Sequence, residues 1–173
     1  MKLNLGCGKD IRKGYVNCDY IKNNGVDKVI DLNKFPYPFK DNSVDEIIMQ
    51  DIFEHLDKPI KCLEELYRIS KKNTLIKIRV PHFSSNSAWA DLTHKRAFAS
   101  RVFDHFTSEG KTSSLEGKRK MNFKIIKKEL QFPRLYKLLG FNKLFSHFIK
   151  IYEVHLYGFF PCSNIYFELK VIK

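Results

Sequence analysis

Residues 3–8 read Leu-Asn-Leu-Gly-Cys-Gly, and Asp19 closes a second apolar stretch, Tyr15-Val16-Asn17-Cys18, eleven residues after Gly8. An apolar strand that runs into a glycine turn, then a second strand that ends in a carboxylate, leaves few folds open. Glycine tolerates the positive φ of a tight turn, and without a β-carbon it lets another molecule lie against bare backbone. A carboxylate accepts from two vicinal hydroxyls, and hydrogen bonds to a charged group are worth roughly 1.5–3 kcal/mol each. Together these features predict a nucleoside site at the carboxyl ends of a parallel sheet. Each alone reads equally well as a plain turn or a solvated strand end, and the pattern over residues 28–81 decides between the two.

Apolar runs predict strands over 2–5, 16–19, 28–32, 44–49, 75–80, 123–130 and 165–172. Residues 9–14 are too few for more than one helical turn, so the first crossover helix is expected to be shortened or missing. Pro36 and Pro38 keep 35–39 out of a helix. Ile60, Leu63, Leu66 and Tyr67 fall at helical spacing behind Pro59, which predicts a helix over 59–70 with Asp57 as its cap. Phe141, Leu144, Phe145, Phe148, Tyr152 and Leu156 share one face of a second amphipathic helix over 141–157. Residues 82–106 read as irregular or short-helical, and 111–120 as a polar, glycine-containing loop. Strands alternating with crossovers predict an α/β, mostly parallel sheet, with an antiparallel strand at its edge. The 173 residues suit one domain. Its expected parts are a ligand-binding core over 1–82, a substrate-facing insertion and loop over 83–122, and C-terminal strands and helix over 123–173.

Of the net charge of +12, residues 111–173 carry +9. That is either a lysine-rich solvated face or a surface for something anionic. Cys7, Cys18, Cys62 and Cys162 form no Cys-x-x-Cys clip, so neither a zinc clip nor a disulfide framework is expected. The chain opens directly into a strand, and no uncharged stretch reaches the ~20 residues of a membrane span. A cytoplasmic setting is expected.

The order Val29-Ile30-Asp31-Leu32, Phe35-Pro36-Tyr37-Pro38-Phe39, Val44-Asp45, Phe53-Glu54-His55-Leu56, Glu64-Glu65-Leu66-Tyr67-Arg68-Ile69, Val80-Pro81 resembles the class I S-adenosylmethionine-dependent methyltransferases, over roughly residues 3–82. The resemblance implies a Rossmann-like fold and S-adenosylmethionine as cofactor. It implies that backbone around Gly6, Cys7 and Gly8 meets the methionine end and that Asp19 takes the ribose diol. Tyr20 would lie beside the adenine, Asp31 would accept from the adenine amino group, and the Leu32 backbone would meet the ring edge. Gln50 would close the pocket near the sulfonium. The chain departs from the family pattern at four points. Asn4 replaces an acid, so it can accept from an ammonium group but adds no charge. Asp10 replaces a third glycine, the first helix has no room, and Asn73 stands where a glycine turn usually precedes the fifth strand.

A methyl acceptor needs alignment and often a base, placed beyond the strand ends. Residues 81–98 begin there and hold His82, Ser84, Trp89, Asp91, His94 and Arg96. They resemble a segment of methyltransferases associated with surface-glycan gene sets. His82 and His94 are the candidate bases, with Asp91 to orient one of them. Ser84, Trp89 and Arg96 are candidates to hold the substrate, Trp89 as a flat wall for a sugar and Arg96 as a partner for a carboxylate or phosphate. Each of these also reads as an anchor within a loop, and His55 reads as structural or pocket-lining. His82, Asp91 and His94 match no familiar metal-ligand spacing, so no metal is expected. The leading expectation is O-methylation of a sugar or another small polar metabolite. RNA methylation by the basic C-terminal third and a non-catalytic cofactor-binding protein are the alternatives. A nicotinamide-binding module is disfavoured, because the glycine-to-acid interval there is about 20 residues.

Overall fold

Seven strands follow the apolar runs: β1 (Lys2–Leu5), β2 (Val16–Asp19), β3 (Lys28–Val29), β4 (Val44–Gln50), β5 (Ser70–Pro81), β6 (Phe123–Gln131) and β7 (Asn164–Val171). In this computed structural model, which describes residues 1–107 and 121–173, they form one sheet in the order β3-β2-β1-β4-β5-β7-β6. The loop expected at 111–120 lies outside the described residues. Strands β1 to β5 pair in parallel, while β7 is antiparallel to both β5 and β6. The expected α/β, mostly parallel Rossmann-like sheet is therefore present. Its antiparallel strand lies one place in from the edge, with β6 outside it.

Leu3 faces Ile47 and Leu5 faces Met49 across β1 and β4, and all four are fully buried. Near-continuous apolar runs of this kind are what a central parallel strand covered on both sides requires. Between β1 and β2 the chain makes a turn and no helix, as the short interval predicts. The turn is pinned to β2: Cys7 N–H donates to the Cys18 carbonyl at 3.0 Å, and Arg12 N–H donates to Asn17 Oδ1 at 2.9 Å. Strand β3 is shorter than expected, yet Ile30 and Leu32 stay buried just beyond it.

Helix α1 (Pro59–Ile69) buries Cys62, Leu63, Leu66 and Ile69 and has proline in its first turn. Its cap is Lys58 rather than the expected Asp57, whose carboxylate is drawn away to Lys95. The chain enters β5 directly at Ser70, and Asn73 takes the left-handed turn at φ 67. Arg68, in the last turn, fastens the proline-rich loop. It donates to both Glu65 oxygens at 2.9 and 2.7 Å, to the Phe39 and Tyr37 carbonyls at 3.0 Å each, and to Asp41. Tyr37 N–H donates back to Glu65 at 2.7 Å, and the Tyr37 hydroxyl donates to the Leu32 carbonyl at 2.9 Å. Replacing Arg68 with alanine strips five hydrogen bonds from this loop, although Glu65 keeps Tyr37 N–H and the Tyr37 carbonyl keeps Phe39 N–H, and we expect a stability loss of about 1–3 kcal/mol. A urea unfolding midpoint that does not move would refute the clamp.

The expected helix over 141–157 is broken into a two-turn helix (Phe141–His147), a three-residue turn (Ile149–Ile151) and a π-helical turn (Tyr152–Leu156). Phe148, at φ −114 and ψ 40, interrupts the run. The break serves a tertiary demand. Tyr152 is fully buried with its hydroxyl donating to the Phe160 carbonyl at 2.8 Å, whereas Leu144 and Phe148 of the expected apolar face are exposed. No described helix is long and apolar enough to cross a membrane. The four cysteines are free and buried.

Candidate active site

Neighbouring strands β3, β2, β1 and β4 all end on one cavity of about 300 Å³. Ligands of open α/β sheets sit at such carboxyl ends. Gly6 follows β1, Asp19 ends β2, and Asp31 and Asn33 follow β3, while Ile52, His55 and Leu56 follow β4; all seven line the cavity, together with Tyr20, Leu32, Ile30 and Cys18. The two acids and the glycine turn thus share one cleft.

Gly6 sits at φ +67, and a β-carbon there would lie 2.5 Å from the Ile52 side chain. The residue after β1 is a bare-backbone wall because Ile52 occupies the space a side chain would need. Gly8 is also left-handed, at φ +52, but a β-carbon there would meet open space. Gly8 N–H donates to Asp19 Oδ2 at 2.7 Å and Ile21 N–H donates to Asp19 Oδ1 at 3.1 Å. These bonds fix the Asp19 carboxylate, and each of its oxygens keeps acceptor capacity. Asp31 is held likewise by Asn33 N–H at 2.9 Å. Tyr20 is two-thirds exposed at the rim, with relative exposure 68%. Burial pushes the Cys18 thiol up to about 12, so it meets the cleft as a neutral group.

Four predicted cofactor residues, Asn4, Cys7, Gly8 and Gln50, are not among the residues lining the cavity. Asn4 is buried, and its amide donates to the Asp10 carbonyl at 2.6 Å and to Asn17 Oδ1 at 3.1 Å, so it braces the glycine turn from behind. Cys7 is buried in the same brace. Gln50 ends β4 opposite Arg79 and is not among the residues lining the cavity.

The far wall comes from the turn after β4 (Phe53–His55, 3₁₀); residues 91–96 line none of the cavity but are stitched to that turn from behind. Lys95 N–H donates to the Glu54 carbonyl at 2.9 Å, and Arg96 donates to the Leu56 carbonyl at 2.5 Å. The stitching brings the His94 ring edge-on to His55, with centroids 4.7 Å apart. Thr93 Oγ1 donates to Asp91 Oδ1 at 2.7 Å and lies 2.9 Å from His55 Nδ1. Glu54 is fully buried beneath the pair, and burial, the larger effect, with the nearby Asp51 and Asp91 charges pushes its carboxyl up to about 7. Trp89, on the short helix α2 (Ser87–Ala90), is 69% exposed and donates its indole N–H to the Phe83 carbonyl at 2.8 Å.

His82 and Ser84 lie elsewhere. His82 ends up fully buried at the β7 side of β5, where its N–H donates to the Ser163 carbonyl. Its Nδ1 accepts from Ser84 N–H at 3.1 Å, so the ring proton is on Nε2, 3.3 Å from Glu153 Oε1. Glu153 also accepts from Ser100 N–H and Oγ–H, each at 2.7 Å. Ser84 Oγ contacts His82 Nδ1 at 2.7 Å, Cys162 N–H at 3.0 Å and Tyr152 OH at 3.2 Å. Both side chains are spent inside this knot, and neither lines the cleft.

Sequence reasoning missed Ile52, Leu56 and Asn33 as lining residues, and Glu54 as a buried charge. For Glu54 no local signal existed, since His55 beside it in the same short turn stays partly exposed. For Glu153 none existed, since its partners lie 53 and 71 residues away.

Similarity to known proteins has the same outline. The family described as "Methyltransferase domain" matches residues 7–78. No curated protein matches the chain. An S-adenosylmethionine-dependent methyltransferase of Archaeoglobus fulgidus superposes with a TM-score of 0.61 at 17% identity, covering 98% of this chain and 85% of that one. An S-adenosylmethionine-dependent methyltransferase of Mesorhizobium loti gives 0.59 at 10% identity, covering 98% and 89%. A chain from the Haloferax volcanii complex of the Trm112 methyltransferase activator with a methyltransferase gives 0.57 at 14%, covering 99% and 82%. At these identities the structural likeness is one of fold.

Proposed function

We propose that this chain, whose residues 7–78 match a methyltransferase domain, is a class I S-adenosylmethionine-dependent enzyme that methylates an oxygen of a small polar acceptor, such as a sugar. The observation that supports the cofactor's place is the shared cleft: Gly6, Asp19 and Asp31 on one cavity, with Ile52 filling the space a β-carbon at Gly6 would need. In this reading Asp19 accepts from the ribose hydroxyls and Asp31 from the adenine amino group. Tyr20 flanks the ring, and Ile30, Leu32, Ile52 and Leu56 keep water away.

Bound S-adenosylmethionine supplies a methyl carbon whose bond to sulfur breaks, with its electron pair left on sulfur, as the bond to the acceptor oxygen forms. The acceptor's proton must leave, and His55, which lines the cavity, and His94, packed against it with Asp91 and Thr93 alongside, are the groups there able to draw it. Residues 83–107 would face the acceptor, with the exposed Trp89 ring as a stacking surface. An RNA acceptor is less well supported. On β6, Lys127 is paired with Glu129 and Lys128 with Asp104, so part of the basic surface is already neutralised.

The test is methyl transfer from labelled S-adenosylmethionine to nucleotide sugars, free sugars and RNA. We expect label in a sugar-class acceptor and a loss of roughly 10²–10⁴-fold in turnover for His94→Ala. Label in RNA that survives moderate salt would replace the sugar reading, because purely electrostatic contacts fade steeply with salt. Cofactor binding with no transfer to any hydroxyl would favour a non-catalytic protein.

A further inference from the structure

We propose that Glu54, His55 and His94 form a site for one first-row divalent metal ion, of the zinc class, at the edge of the cofactor cleft. One ligating atom of each residue lies within 4.8 Å of the others. Ligands about 2.1 Å from a common ion stand roughly 3–3.5 Å apart, so closing on an ion takes movement of about an ångström.

Glu54 supplies an independent observation. It is 0% exposed, and among the described residues neither carboxylate oxygen has a hydrogen-bond partner. Buried polar groups left in that condition call for an ion or a water. His94 Nε2 is 3.9 Å from Glu54 Oε1, too far for a shared proton.

The hydrogen bonds also set both rings as ligands. His94 Nδ1 faces the Ala88 carbonyl at 3.3 Å, which can only accept, so the proton sits on Nδ1 and the electron pair on Nε2. The Thr93 hydroxyl gives its hydrogen to Asp91, so it accepts from His55 Nδ1, and that ring's electron pair is on Nε2 as well. Metal-ligating histidines commonly donate their other nitrogen to such acceptors. Two imidazoles and a carboxylate suit zinc and its neighbours better than magnesium or calcium, which prefer all-oxygen shells.

Three protein ligands leave open positions on an ion, and His55 lines the cleft. The ion would there polarise an acceptor hydroxyl. That role rests on the O-methylation proposal; the binding site does not. It also separates two meanings of His94, as a ligand and as a base.

The experiment is calorimetric titration of chelator-treated protein with zinc alone, with cobalt(II) as a spectroscopic substitute. We expect one ion per chain and visible d–d bands without a thiolate-to-cobalt band, since the four cysteines are not ligands. Glu54→Gln and His94→Ala should each weaken binding by more than the roughly 10–100-fold that loss of a supporting contact costs. Circular dichroism and S-adenosylhomocysteine binding report whether each variant is folded. Absence of stoichiometric binding, a thiolate band, or folded variants that bind as tightly as the parent would each overturn the site. Binding that holds while no hydroxyl is methylated would remove the proposed function and leave the site standing.

Discussion

Replacing Asp19 with alanine will weaken S-adenosylhomocysteine binding by roughly a hundredfold or more. In the proposed placement of the cofactor the carboxylate accepts from two ribose hydroxyls, and charge-assisted hydrogen bonds contribute about 1.5–3 kcal/mol each, so their combined loss is at least about 3 kcal/mol. Each 1.4 kcal/mol is about tenfold in affinity. The substitution also removes the acceptor of Gly8 N–H and Ile21 N–H, which donate to the carboxylate at 2.7 and 3.1 Å, so the glycine turn loses one of its ties to β2 while those from Cys7 and Arg12 remain. Asp19→Asn separates the two effects. Its amide oxygen still accepts from one partner, and we expect a loss nearer tenfold. Calorimetry reads both. Affinity unchanged in Asp19→Ala would remove the ribose from β2 and with it the placement of the cofactor.

The same residues show why the cleft was legible in the sequence. Gly6, Asp19 and Asp31 lie at strand ends, and strand ends follow from apolar runs that stop at turn residues. Parallel pairing of β1 with β2 and β4 then brings the ends together without further information. Helix α1 was legible for a similar reason, since Pro59 and the spacing of Leu63 and Leu66 are local signals. What was not legible depends on distant partners. The apolar spacing over 141–157 continues through Phe148, and nothing local marks the break that turns Tyr152 and Glu153 inward. His82 and His94 looked alike, as two histidines in one polar segment. Only the pairing of β5 with β7 sends the first into a buried knot, and only the stitching of 91–96 to the turn after β4 packs the second against His55, behind the cleft wall. Asn4 stands buried behind the glycine turn, its Nδ2 group donating to the Asp10 carbonyl and Asn17 Oδ1, a placement that depends on partners the strand pattern does not show.

The knot itself carries the second large expectation. Glu153 accepts from Ser100 N–H, Ser100 Oγ–H and His82 Nε2–H in an almost closed environment. Removing one partner of a buried charged network costs about 3–5 kcal/mol, because the remaining donors are left dry. We expect that loss for Glu153→Ala, or a fall in Tm of roughly 10 °C for a chain of this size. His82→Ala should lose a comparable amount, and the double variant should lose less than the two combined by about 1 kcal/mol or more, since both act on one network. Burial alone would raise the Glu153 carboxyl, but the hydrogen bonds from His82 and Ser100 outweigh it and hold it below the ordinary glutamate value. A depressed folded value means that the stabilisation is complete above the unfolded pKa of about 4.3 and fades as pH falls through the folded one. The stability gap between the parent and Glu153→Ala should therefore be widest near neutrality and should narrow below about pH 4. A gap independent of pH, or strict additivity of the two variants, would show that the His82–Glu153 contact does not hold the segment after β5 in place.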